Sequence, residues 1–253
     1  MKALFNSSLL IIITILTSCS TKGQNRLIVT IPSAIEESEY IWSTIQDIKF
    51  FEENNYQISL PEGTFIEVLK KKAKENKLSD NDYEALKIYI KDSVYNHSDY
   101  EAGYRKIEQQ LPLISKMISE ISASSRNWDF TMFEQYQIDL TLYGPGGSYN
   151  PDEGSILIYT TPTGNFKQYD NPANTIIHEI VHIGIEASII DTFNVPHALK
   201  ERIVDTFVFL NFKEYLPAYR IQNMGDNRID PFLKTKRDLK DLHTSVKQIM
   251  NNN

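Results

Sequence analysis

Three residues of this chain combine type and spacing in a way that points to chemistry: His178, Glu179 and His182. They stand in His178-Glu179-Ile180-Val181-His182, the pattern HExxH. On a helix the two histidines lie one turn apart on one face, so both imidazoles can meet a single ion at roughly 2.0–2.1 Å. Glu179, next to the first histidine, stands beside such an ion without entering its coordination sphere. There it can take a proton from a water that the ion activates, which makes it the candidate catalytic base. The alternative treats both histidines as polar members of a helix packed by Ile177, Ile180, Val181 and Ile185. Two buried imidazoles without partners are costly, which weighs against it.

A catalytic zinc takes three protein ligands and leaves a fourth position for water. Glu201 is the candidate third ligand. It lies on the next expected helix, eighteen residues intervening after His182, and Asp205 follows one turn later, so the pattern is HExxH-x18-ExxxD. Asp205 in place of Glu201 is the other ligand choice. Glu186, four residues beyond His182, points away on a straight helix and reads as a solvated or capping residue. The longer pattern HExxHxxGxxH fails, because Gly184 comes one position early and position 188 is Ser.

With these residues the chain resembles the gluzincins, the thermolysin-like and aminopeptidase-like zinc peptidases, over roughly residues 131–220. The resemblance implies one Zn2+ on His178, His182 and Glu201, with Glu179 as base. It implies that Asp205 bonds the first histidine, His178, and fixes its tautomer. It also implies a peptide or protein substrate cleaved at an amide bond. The family's fold sets a strand along the substrate cleft, and Ser155 to Thr161 is similarly located; an exposed edge there would pair with an extended peptide. The family's downstream oxyanion-stabilising His or Tyr has no clear match. Tyr215, Tyr219 and His243 are the candidate substitutes, although an ordinary packing or surface role suits each of them better, as it does His97 and His197. That departure sustains a second reading, a catalytically silent zincin-like binding lipoprotein. A third is an interaction protein in which the helical segment before residue 125 does the work.

The elements that must position these residues are legible in part. Residues 27–31 alternate loosely as a strand. Ile41, Ile45, Ile48 and Phe51 recur at helical spacing within 34–53, and a Lys-rich amphipathic segment follows Pro61 and Gly63. Ser79 with Asp82 and Ser98 with Glu101 have capping-box spacing, the second helix running to about Ser124. Gln137 to Tyr143 and Ser155 to Thr161 are rich in β-branched and aromatic residues and flank a Gly-Pro-Gly-Gly loop, so they read as the strands of a hairpin. Asn171-Pro172 opens the motif helix, with a capping side chain and a proline at the first position. Further helices fit Pro196 to Tyr215 and Lys234 to Met250. The fold class is α+β, predominantly helical and zincin-like, with a small mixed sheet beside the HExxH helix.

The N-terminus places this domain. Lys2, the apolar run Leu9 to Leu16 and the small residues Thr17 and Ser18 follow a signal-peptide plan. Leu16-Thr17-Ser18-Cys19 resembles the lipobox of bacterial lipoproteins, which implies removal of residues 1–18, acylation of Cys19 and a tether over 19–26. The expectation is one catalytic domain over 27–253, anchored to a membrane of the cell envelope and facing periplasm or exterior. Cys19 is the one cysteine, so any metal site must use His, Asp or Glu. Removing residues 1–18 takes away one Lys and no acid, moving the net charge from -7 to about -8, which gives nucleic acid no electrostatic purchase.

Overall fold

The structure is a computed structural model in which residues 25–222 and 225–251 are described. The expected leader and the expected acylation site, Cys19, lie outside them. No helix among the described residues is long and apolar enough to cross a membrane.

After β1 (Arg26–Thr30), α1 (Ala34–Gln46) starts at a capping box. Glu36 N–H donates to Ser33 Oγ at 3.3 Å, and Ser33 N–H donates to the Glu36 carboxylate at 2.7 Å. The single helix expected to residue 53 instead divides at Asp47 (φ -90°, ψ 12°) into α1 and α2 (Ile48–Glu53). Aspartate is a weak helix former and leaves helical geometry readily. Next come α3 (Thr64–Lys74) and α4 (Asp80–Tyr89), the latter opened by the expected Ser79–Asp82 box. The Ser98–Glu101 box does not form. Asn96 takes the Ser98 N–H and hydroxyl, so a short 3-10 turn, His97–Tyr100, leads into α5 (Glu101–Ala123). Ile41, Ile45, Ile66, Leu69, Leu86 and Ile90 close a separate apolar cluster inside this helical lobe.

The sheet corrects the hairpin expectation. Its order is β1-β2-β4-β3, with β2 (Gln135–Thr141), β3 (Gly147–Asn150) and β4 (Ser155–Tyr159). β2 and β4 run parallel, Gln137 opposite Ser155, and β3 pairs antiparallel to β4, Gly147 opposite Ile158. The tight turn is Asn150–Gly154, where Gly154 N–H bonds Asn150 O at 3.1 Å and φ is 66°. The Gly-Pro-Gly-Gly loop feeds the outer strand instead. β4 is therefore paired on both sides, and the open edge near the motif helix belongs to β3.

After a short turn, α6 (Lys167–Asp170), comes the motif helix α7 (Pro172–Ile185). Asn171 Oδ1 accepts the Ala173 N–H at 3.1 Å, Pro172 occupies the first position, and every residue of α7 is buried. It packs among α5, β3, β4 and α8 (His197–Phe212). Gly184 permits that depth: a Cβ there would lie 2.0 Å from the Phe130 ring. The last expected helix begins as a 3-10 segment, Lys236–Asp241, held by a Thr235–Asp238 box, before α9 (Leu242–Asn251). The architecture is α+β and mostly helical, with a small mixed sheet beside α7.

One buried carboxylate joins the lobe to the sheet. Glu37 on α1 accepts from Leu142 N–H at 3.0 Å and from the Thr141 hydroxyl at 3.2 Å, with the buried Tyr100 hydroxyl as a further partner. Burial pushes its carboxyl from 4.5 up to about 7, against the pull of those hydrogen bonds. The folded state therefore holds a proton that the unfolded chain releases. This favours folding below pH 4.5 and is lost as the pH rises through 7, a swing on the order of 3 kcal/mol. Glu37→Gln should flatten that slope. Urea titrations of both proteins at pH 5 and pH 8 check it, and an equal loss of stability in the two would refute it.

Candidate metal centre

α7 and α8 bring His178, His182 and Glu201 into one cluster, whose ligand atoms all lie within 4.8 Å of one another. His182 Nε2 is 3.0 Å from His178 Nε2; Glu201 Oε2 lies 3.5 Å from His178 Nε2, and Oε1 3.4 Å from His182 Nε2. Ligands at about 2.0–2.2 Å around a tetrahedral ion sit roughly 3.3–3.6 Å apart; each histidine lies at that distance from one Glu201 oxygen, and the two ring nitrogens are slightly closer. Two ring nitrogens facing each other at 3.0 Å attract only if one is protonated or both face a cation.

The outer partners choose the tautomer of His178. Tyr219 donates its one hydroxyl proton to Asp205 Oδ1 at 2.7 Å, so its oxygen accepts from His178 Nδ1–H at 2.8 Å. In the neutral ring this leaves the Nε2 lone pair facing the cluster. Asp205 Oδ1 is itself 3.3 Å from His178 Nδ1, and Oδ2 accepts the Gln222 N–H at 2.7 Å. Asp205 thus faces the far nitrogen of His178 and Glu201 the near one, which separates the two ligand choices. His182 has no such partner, its Nδ1 being buried without a hydrogen bond, and its ring is instead stacked on Tyr149 at 4.8 Å and 10°. The Tyr149 hydroxyl donates to Glu186 at 2.7 Å and accepts from Lys200 Nζ at 2.9 Å. Glu186 caps the C-terminus of α7, as expected, its N–H bonding His182 O, and its carboxylate also anchors that tyrosine.

Without an ion, the buried charges push against one another. Burial would lower His178, but Asp205 and Glu201 outweigh it and raise the ring to about 10; burial lowers His182 to about 4. Glu201 is held well below the usual carboxylate range by both histidines, although burial opposes this. Glu179, 6% exposed, is raised to about 7, chiefly by burial and further by Glu201. Gly147 of β3 lies directly against it: a Cβ there would fall 2.3 Å from Glu179 Oε1.

The oxyanion candidates do not reach the open side. Tyr219 is bound behind His178, Tyr215 donates to Glu120 at 2.6 Å, and His243 lies edge-on to Phe193. His97 meets Tyr95 away from the cluster. His197 borders the cluster: its Nδ1 is 3.7 Å from Glu201 Oε1, and its Nε2 meets Tyr56 of the helical lobe at 2.7 Å. Tyr149, Gly147 and Tyr56 carried no motif. The one available signal was Gly146-Gly147, since a glycine entering a strand often marks a close backbone approach. No family model, curated protein or solved structure matches the chain.

Proposed function

We propose that the chain is a zinc-dependent peptidase of the cell envelope, with a zincin-like fold. The observation that carries this reading is the cluster of His178, His182 and Glu201 with Glu179 beside it and outside it. The donor set, two imidazoles and a carboxylate, is that of a catalytic zinc. A zinc ion held there supplies a Lewis acid that polarises a carbonyl and acidifies water. Glu179 takes the proton of the attacking water and later delivers it to the leaving amine nitrogen. Tyr219 and Asp205 keep His178 in the tautomer that presents Nε2. The free edge of β3 offers backbone groups to an extended peptide, the role expected earlier of β4. Gluzincin-like zinc peptidases are the group whose motif fits these residues, and a lipid anchor on Cys19 completes the proposal.

The second reading, a silent binding lipoprotein, draws on the displacement of Tyr215, Tyr219 and His243 from the open side. Elemental analysis of the purified mature chain, with a peptide-library digest before and after chelation, tests both. One zinc per chain with chelator-sensitive cleavage supports the peptidase. Stoichiometric zinc without cleavage favours the binding protein, and a metal-free chain defeats both.

A further inference from the structure

Residues 54–60 leave the helical lobe and cross to the loop before β3 and the start of α8. Asn55 (φ 57°) turns the chain out of α2, and Tyr56 N–H bonds back to Phe51 O at 2.8 Å. Three ties then fix the segment. Tyr56 Oη meets His197 Nε2 at 2.7 Å. Gln57 O accepts from Lys167 Nζ at 2.9 Å, and the same ammonium donates to Pro145 O. Ser59 and Gly144 exchange both backbone hydrogen bonds, at 3.0 and 2.8 Å. Ile58 and Leu60 pack into the lobe's own apolar cluster, so the segment is held from behind as well.

Its two ends attach to two different elements of the site. Gly144 precedes β3, whose Gly147 abuts the Glu179 carboxylate. His197 stands one turn before Glu201 on α8. From Ser59 to Tyr56, three residues covering about 10 Å when extended join the strand over the base to the helix of the third ligand. An extended peptide laid along β3 must run past both ends of that strand to be bound by its middle. Beyond Gly147 it meets backbone groups of Ser59 and Gly144 that already bond each other, and the Tyr56 ring. Beyond Asn150 the chain turns, and Asp152 and Glu153 of that turn are exposed.

We propose that residues 54–60 form a strap that closes the Gly147 end of the cleft, so that the site admits the end of a peptide chain and not its middle. The proposal rests on the peptidase reading. It makes Tyr56 and Ser59 determinants of specificity, supplied by the helical lobe.

The experiment compares a synthetic peptide with free ends and the same peptide acetylated and amidated, each incubated with the zinc-loaded mature chain. Mass spectrometry reads the products. Wild type should trim the free peptide from one end and cut the capped one at least about tenfold more slowly. Tyr56→Ala and Ser59→Pro, each alone, should gain internal cuts in the capped peptide. Internal cutting of the capped peptide by wild type at the rate of the free one would overturn the strap. If neither peptide is cleaved, the peptidase reading fails, and the strap is judged on metal release to EDTA. Release at least about tenfold faster from either variant supports it, and equal rates in all three proteins overturn it.

Discussion

Glu179→Gln is expected to lower peptide hydrolysis by roughly 10²–10⁴-fold while the chain keeps its zinc. The substitution holds side-chain volume and removes only the ability to accept a proton. Volume matters here, because the carboxylate lies under Gly147, where a Cβ would already approach to 2.3 Å. Glu179 contributes no atom to the cluster of His178, His182 and Glu201, so metal content should be unchanged. An amide also removes a buried negative charge close to Glu201, so thermal stability should not fall. Turnover with wild-type and variant protein, alongside zinc per chain, gives the answer. Undiminished turnover would move the base elsewhere, and loss of zinc would place Glu179 among the ligands.

The ligand helix was legible because its signals are local. Asn171-Pro172 marks its start, and a four-residue histidine spacing defines one face whatever the rest of the chain does. Glu201 follows from the chemistry of a third ligand, and α8 brings its carboxylate to both histidines. The strand that lies over the base was not legible. Gly147-Ser148-Tyr149-Asn150 has neither β-branched residues nor apolar alternation; it is a strand because β4 offers an edge and Tyr149 packs on His182. Misassigning it also produced the false hairpin, since the direction of strand pairing depends on where the intervening chain crosses, which composition does not encode. The Tyr56–His197 bond lies further from view, joining residues 141 positions apart. The type of Tyr219 made it one of three oxyanion candidates, while the fold spends its hydroxyl on Asp205 and His178.

That placement of Tyr219 sets up a graded series in metal affinity. Glu201→Ala removes one of three ligands and should abolish stoichiometric zinc at micromolar protein. Tyr219→Phe keeps every ligand and should weaken zinc about 10–100-fold, the usual effect of losing an outer-sphere partner. The reason lies in a chain of two protons. The tyrosine donates to Asp205 at 2.7 Å, and its oxygen therefore accepts from His178 Nδ1–H at 2.8 Å. Without the hydroxyl, the ring nitrogen must turn to Asp205 Oδ1, now 3.3 Å away, while that buried carboxylate loses a donor. His178 is then free to rotate or to carry its proton on Nε2, the atom needed for the ion. Titration against a chromophoric chelator measures Kd in wild type and both variants. Turnover per bound zinc should change far less in Tyr219→Phe than Kd does, because the tyrosine lies behind the ligand and away from the substrate. Wild-type affinity in Tyr219→Phe would show that Asp205 alone orients the ring, whereas zinc retained by Glu201→Ala would assign the third ligand to another residue.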